Sequence, residues 1–345
     1  MVGTHHALPE PALWTRARTG LVIVSLLAAL ALVVALMSVA SERAQGSRES
    51  ARAFPAILVR HLENTPPGGG TAVGAYKQPS DAASLDGRLF VLDTGNNRIV
   101  EIDEAGTVRR VLDPSTDEQL VLQGAMAITS DGRHLYVANS GAGEVLVLEP
   151  GGSIVRTVDL KTTSPGDEAP RPIGLAAGPD GELFISDAQN HRVLVSDGLG
   201  PPRQISGSGT RGSGSDGFNV PAGLALDDAA NVYVTDILNG RVVQLSANGT
   251  FLRQFGRLGD TGGTLSRPKD VAVDSAGNVY VSDSLLASVQ VFSGDGTYLG
   301  FIGREDPDDA HSRSLFQAPA GLEIVGDTLY VVDRFAGLFV FQLPR

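Results

Sequence analysis

The stretch from Pro221 to Arg241, PAGLALDDAANVYVTDILNGR, decides the fold. Two short apolar runs flank the polar turn DDAAN, and the second run, VYVTD, has the β-branched and aromatic make-up of a strand. Its likeness returns along the chain as RLFVLD at 88–93, HLYVAN at 134–139, ELFISD at 182–187, NVYVTD at 231–236, NVYVSD at 278–283 and TLYVVD at 328–333. The starts stand 46, 48, 49, 47 and 50 residues apart, so one supersecondary unit recurs about every 48 residues. Most units open with Pro, as at Pro172, Pro221, Pro268 and Pro319, and their turns read Ser130-Asp131-Gly132, Pro179-Asp180-Gly181 or Ser275-Ala276-Gly277-Asn278. Such turns join antiparallel strands, because Asp or Ser caps them and Gly takes a positive φ. Two more strands follow in each unit, as in Arg241 to Ser246 and Thr250 to Gly256, which predicts an all-β, six-bladed β-propeller of four-stranded antiparallel blades.

The pattern Pro-x-Gly/Asp-apolar-Ala, Gly-x-apolar-Tyr-Val-x-Asp and x-x-Asn-x-Arg-apolar resembles the NHL-repeat family over residues 54–345. Its polar part is intact as Asp93-Asn96-Arg98, Asp187-Asn190-Arg192 and Asp236-Asn239-Arg241. Blade two departs with Asn139 and Glu144, blade five keeps Asp283 but has Ser288 for Arg, and blade six keeps Asp333 before Arg334-Phe335-Ala336-Gly337-Leu338. The Asp, Asn and Arg read as scaffold, with Asp and Asn side chains bonding to nearby turn amides and Arg pairing inside or between blades. No series of WD dipeptides and no paired-Gly kelch signature occurs.

The sixth unit ends without a fourth strand. The apolar-Arg-x-apolar column of fourth strands, seen in Val108-Arg109-Arg110-Val111, Val155-Arg156-Thr157-Val158 and Leu252-Arg253-Gln254-Phe255, recurs early as Val59-Arg60-His61-Leu62. Residues 56–62 are therefore predicted to pair antiparallel with the strand near Leu338 to Gln342, closing a ring that would otherwise expose strand edges.

Ahead of the repeats, Thr19 to Ser41 carries no charge, and LVIVSLLAALALVVALMSVA at 21–40 is long enough to span a bilayer as a helix. The expected organisation is a cytoplasmic tail at 1–18, a single-pass transmembrane anchor at 19–41, a linker at 42–53 and the propeller at 54–345 outside the cytoplasm, since Arg16 and Arg18 favour an inside amino terminus. Ser38-Val39-Ala40 would suit a signal peptidase, so secretion after cleavage near Ala40 is the alternative. A formal charge of −12 disfavours nucleic acid, which needs a basic face. Without cysteine there is no disulfide, thiolate nucleophile or Cys-bound zinc.

The six histidines, His5, His6, His61, His134, His191 and His311, avoid the inner strands, which disfavours the three-His metal site of the amidating lyases. The Gly/Ser-rich run from Ser206 to Gly217 has no strand-to-helix context for a nucleophile elbow and reads as a flexible, exposed connector, with a cap over the channel as the functional alternative. Counted from each opening Pro, with Gln123 in its place in blade two, one inner-strand column reads Asp81, Ala125, Gly174, Gly223, Asp270, Gly321 and another Ala83, Ala127, Ala176, Ala225, Ala272, Glu323. The family resemblance implies free alternation of Asp and Gly in the first column. The lone Glu in the second makes Asp81, Asp270 and Glu323 the candidate channel-mouth site, able to hold Ca²⁺ or a cationic group. The overall expectation is no obligatory cofactor and a module that binds a protein, peptide or cell-envelope glycan through its variable loops at 112–123, 159–172, 200–221, 257–268 and 303–319. A calcium-dependent lactonase, esterase or lyase working at the channel is the alternative.

Overall fold

The computed structural model describes residues 53–63, 75–161, 168–178, 181–198, 200–303 and 313–344. The expected tail, membrane span and linker therefore lie outside the described residues, apart from Ala53. Among the described residues no helix is long and apolar enough to cross a membrane.

Strands of these residues form six antiparallel sheets of four, each a blade. Blade one comprises Asp81–Leu85, Arg88–Asp93, Arg98–Ile102 and Val108–Leu112, and blade two Ala127–Ser130, Leu135–Asn139, Glu144–Leu148 and Ile154–Asp159. Blade three follows with Pro172–Ala177, Leu183–Asp187, Arg192–Ser196 and Arg203–Ser206, and blade four with Pro221–Leu226, Val232–Asp236, Arg241–Leu245 and Phe251–Phe255. Blade five has Pro268–Val273, Val279–Asp283, Ser288–Phe292 and Tyr298–Ile302; blade six has Pro319–Val325, Thr328–Asp333 and Gly337–Gln342. Its fourth strand is Ile57–Leu62, paired antiparallel with Gly337–Gln342 so that Ile57 faces Gln342 and Leu62 faces Leu338. Closure through the early segment is as the sequence pattern predicts. Immediately upstream the Phe54 amide donates to Phe301 O on blade five, and the Phe54 ring meets Tyr280 edge-on, so the incoming chain also ties blade five to blade six.

Apolar side chains are buried between blades. Phe184 and Val193 of blade three pack with Val234 and Val243 of blade four, and equivalent clusters fill each junction round to Val332 and Leu338 of blade six against Val91 and Val100 of blade one. A strand buried on both faces reads as a near-continuous apolar run, which is why RLFVLD and VYVTD lack strict alternation. Burial of each such Val or Phe contributes roughly 1.5–3 kcal/mol. No blade keeps its core without two neighbours, and the ring is cooperative for that reason.

The polar motif latches the loop that enters each inner strand. Asp93, Asp187 and Asp236 accept the amides of Lys77, Arg171 and Asn219, and Asp283 and Asp333 accept those of Arg267 and Ala318. In the intact blades Arg neutralises the Asp: Arg98 Nε, Arg192 Nε and Arg241 Nε lie 2.7, 3.1 and 2.9 Å from Asp93, Asp187 and Asp236 Oδ2. Asn96, Asn190 and Asn239 add a second donor to the same oxygens.

Two expectations change here. The Gly/Ser run after Ser206 is no free connector, because Arg241 donates to the carbonyls of Ser213, Gly214 and Gly217, and Asn239 to that of Gly212, fastening it to blade four. Composition alone does not show that a carbonyl-rich loop has met a guanidinium. In blade two the inner strand is set two residues later than the Pro-based count, since Ala127 faces Ala138 and Thr129 faces Tyr136, as Ala176 faces Phe184 in blade three. Gln123 keeps the N–H that Pro lacks and gives it to Asn139 Oδ1, so it serves the latch and not the strand.

Candidate functional site

The innermost strands run in the same direction around the ring, so residues of one column form a layer about the central channel. With blade two corrected, the first layer is Asp81, Ala127, Gly174, Gly223, Asp270 and Gly321, and the second is Ala83, Thr129, Ala176, Ala225, Ala272 and Glu323. The layers are two residues apart, roughly 7 Å along the strands. The channel encloses a cavity of about 250 Å³, and all three predicted acids line it. Thr129 replaces the expected Ala, but Glu323 is still the one acid of its layer.

Each acid ties its blade to the next. Asp270 Oδ2 accepts the Leu322 amide of blade six at 2.8 Å, Glu323 Oε1 the Ser84 amide of blade one at 2.8 Å, and Asp81 Oδ2 the Ile128 amide of blade two at 2.9 Å. Asp81 Oδ1 also takes the Ala82 amide at 2.9 Å. Gly does not exchange freely for Asp in the first layer, contrary to the expectation. A Cβ would lie 2.0 Å from Ala222 O on Gly174, 2.4 Å from Asp270 Cα on Gly223 and 2.5 Å from Asp81 Cα on Gly321, so the backbone of the next blade, with or without an Asp, demands Gly at these positions.

Burial raises all three acids. Asp270 is pushed up to about 7, first by burial and further by the charge of Glu323, against the pull of the Leu322 and Val271 amides. Burial takes Glu323 to about 7 against the hydrogen bonds from Ser84. Asp81 lies well above the carboxylate range through burial and then the charge of Asp270. The acids thus sense one another electrostatically while their oxygens face separate amides. Among the described residues no group of three or more His, Asp or Glu side chains is placed to hold a metal ion. A shared Ca²⁺ needs several oxygens at ~2.3–2.6 Å, and one oxygen of each acid is already committed to an amide of the next blade.

The described histidines have scaffold contacts. The His61 ring stacks on Phe339 with centroids 4.0 Å apart, and its Nε2 is 2.7 Å from Ala336 O. His191 Nδ1 accepts the Val220 amide, and His134 lies beside Asp131 in a turn. His311 is outside the described residues.

Two cavity residues escaped the sequence reading. Lys269 stands one position before the first layer, where the other blades have Ser80, Met126, Ile173, Ala222 and Ala320. Arg334 follows the motif Asp, where the others have Thr94, Ser140, Ala188, Ile237 and Ser284. Both are lone charges in uncharged columns, the same signal that exposed Glu323, and they were legible by extending the column count beyond the strand.

The described strands form a closed six-bladed propeller with Asp-Asn-Arg latches in blades one, three and four. The NHL repeat model matches residues 170–195, the span of the blade-three latch, so the six-bladed ring contains an NHL repeat in blade three. Solved structures of similar fold include virginiamycin B lyase from Staphylococcus aureus, 14% identical, covering 83% of this chain and 99% of that one with a TM-score of 0.56. A gluconolactonase from Xanthomonas campestris is 17% identical, covering 85% and 98% with a TM-score of 0.58. A luciferin-regenerating enzyme is 13% identical, covering 83% and 94% with a TM-score of 0.54. At these identities the likeness concerns the fold alone.

Proposed function

We propose that this NHL-repeat propeller is a binding or scaffold module, anchored by residues 19–41 with residues 54–345 outside the cytoplasm, whose partner is a protein, peptide or cell-envelope glycan. One observation carries the reading: the acids that chemistry would draw on, in the latches and in the channel, each accept backbone amides from neighbouring segments and so serve as ties. A rigid ring results, with variable loops and a central cavity as its recognition features. Affinity capture with residues 53–345 immobilised, on detergent extracts of the source cells, tests it. Recovery of a partner that the same chain in soluble form competes away supports a binding module; turnover of lactone or ester substrates with no such partner contradicts it. For the anchor, a full-length chain in the membrane fraction is expected, and a soluble mature protein beginning at Ser41 would instead mark a cleaved signal.

A hydrolase or lyase is the second reading, favoured by Asp270 and Glu323 titrating near neutrality in a cavity, where an acid or base would operate. In its calcium-dependent form it needs Asp81, Asp270 and Glu323 to bind the ion, so Ca²⁺ would raise Tm by mass action and Glu323→Ala would abolish the shift. The binding reading expects no calcium shift.

A further inference from the structure

The same cavity has a second chemical character at the end where the innermost strands begin. Lys269 of blade five and Arg334 of blade six line it from adjacent blades, beside the apolar Met126, Ile173 and Ile237. Among the described residues no acid lies within ion-pair reach of Lys269 or Arg334. Arg334 gives Nη2 to Gln78 Oε1 at 3.2 Å, but its Nε is buried without a hydrogen-bond partner. The acid that acts on Lys269, Asp283, already accepts the amides of Ser266, Arg267, Leu285 and Leu286. Burial, and then the charges of Arg267, Arg334 and Arg171, push Lys269 down to about 8. Positive charge is therefore gathered at one channel mouth of a chain whose formal charge is −12. Desolvating cations without a counter-charge is costly, and an anion at this mouth would offset the cost.

We infer that this mouth is an anion site, in which Lys269 and Arg334 hold the carboxylate or phosphate group of a small ligand whose apolar part enters the channel. The geometry suits such a ligand: the guanidinium offers a planar fork, with Nε unspent, and the ammonium a point charge one blade away. Small and apolar side chains below the mouth accept a short hydrocarbon or aromatic body. Channel acids raised toward neutrality carry less negative charge than ordinary carboxylates and so repel an anion above them less. The proposal deepens the binding-module reading by naming a ligand class for its cavity.

Purified full-length protein in detergent provides the test, by calorimetric titration with benzoate, inorganic phosphate and the neutral isostere benzamide. Benzoate or phosphate is expected to bind and to raise Tm, benzamide to do neither, and preference between the two anions assigns carboxylate or phosphoryl chemistry. Lys269→Met and Arg334→Ser introduce the residues that blade two and blade five carry at these positions, so the ring accepts them, and an unchanged ligand-free Tm checks this. Each is expected to weaken anion binding at least tenfold. No binding of either anion at tens of millimolar, benzamide binding as well as benzoate, or undiminished affinity in both variants overturns the site. Partner capture run in parallel with the two variants separates the readings: if it persists while no anion binds, the module stands and its recognition lies on the loops.

Discussion

Blades three and four differ from blades five and six in where they place their polar bonds. In the former pair the latch Asp is neutralised by Arg, as in Arg192 with Asp187 and Arg241 with Asp236, and the channel column holds only Gly174 and Gly223. In the latter the latch Asp has amides where Arg stood. Asp283 accepts those of Ser266, Arg267, Leu285 and Leu286, and Asp333 those of Gln317, Ala318, Phe335 and Ala336. Their inner strands are laced instead by Asp270 and Glu323, on the side where the chain closes through Ile57–Leu62. The repeat records what every blade needs. Its departures mark the closing seam and the channel, and Lys269, Asp270, Glu323 and Arg334 all come from this side.

The largest effect is expected from opening the seam. A chain beginning at residue 66 lacks the outer strand of blade six and should lose its cooperative thermal transition, whereas one beginning at residue 53 should keep it. Equal melting temperatures would mean that the seam needs no closing strand. On the other side of the ring, Arg192→Ala strands the fully buried Asp187 without its cation and should cost about 3–5 kcal/mol in urea unfolding. Arg334→Ala in blade six should cost far less, because Arg334 is not bonded to Asp333, whose partners are the amides of Gln317, Ala318, Phe335 and Ala336; a comparable loss would show that this latch depends on a cation after all.

Blade two sharpens the comparison by a swap of polarity. Asn139 Oδ1 accepts the Gln123 amide as an Asp would, and Asn139 Nδ2 donates to Glu144 Oε1 at 2.9 Å where an Arg would donate to an Asp. Asn139→Asp should set two carboxylates against each other and cost roughly 1–3 kcal/mol, and Glu144→Arg added to it should restore most of the loss. An additive double variant would show that the pair does not act as a unit.

The ring was legible because its determinants are local and repeated: Pro, turn Gly, the apolar strand and Asp-Asn-Arg recur in register, and Val59-Arg60-His61-Leu62 fits a column. The register of blade two was not, because Gln123 looks like a substituted Pro until its amide is seen on Asn139. Gly223 and Gly321 looked interchangeable with Asp in sequence, since the clash that forbids exchange lies between blades. Lys269 and Arg334 stand out as lone charges in their columns, but only the closed ring shows that both come to the same mouth. The Arg241 clamp on the Ser213 to Gly217 carbonyls has no sequence signature at all.

The central claim is that the seam is laced by carboxyls the fold prefers uncharged. Glu323 moves from 4.5 to about 7 and Asp270 from 3.8 to about 7, so the folded state binds protons more tightly than the unfolded chain. The stability they contribute is complete below about pH 4 and is lost as pH rises through 7. His191, held below its ordinary value, works the opposite way up to about pH 6.5, so the informative quantity is the difference between variant and wild type. Urea unfolding at intervals from pH 5 to 7.5 should show Glu323→Gln gaining stability relative to wild type as pH rises, with the same trend for Asp270→Asn. A pH-independent difference would show that the channel carboxyls are already ionised in the folded ring, and would contradict the account.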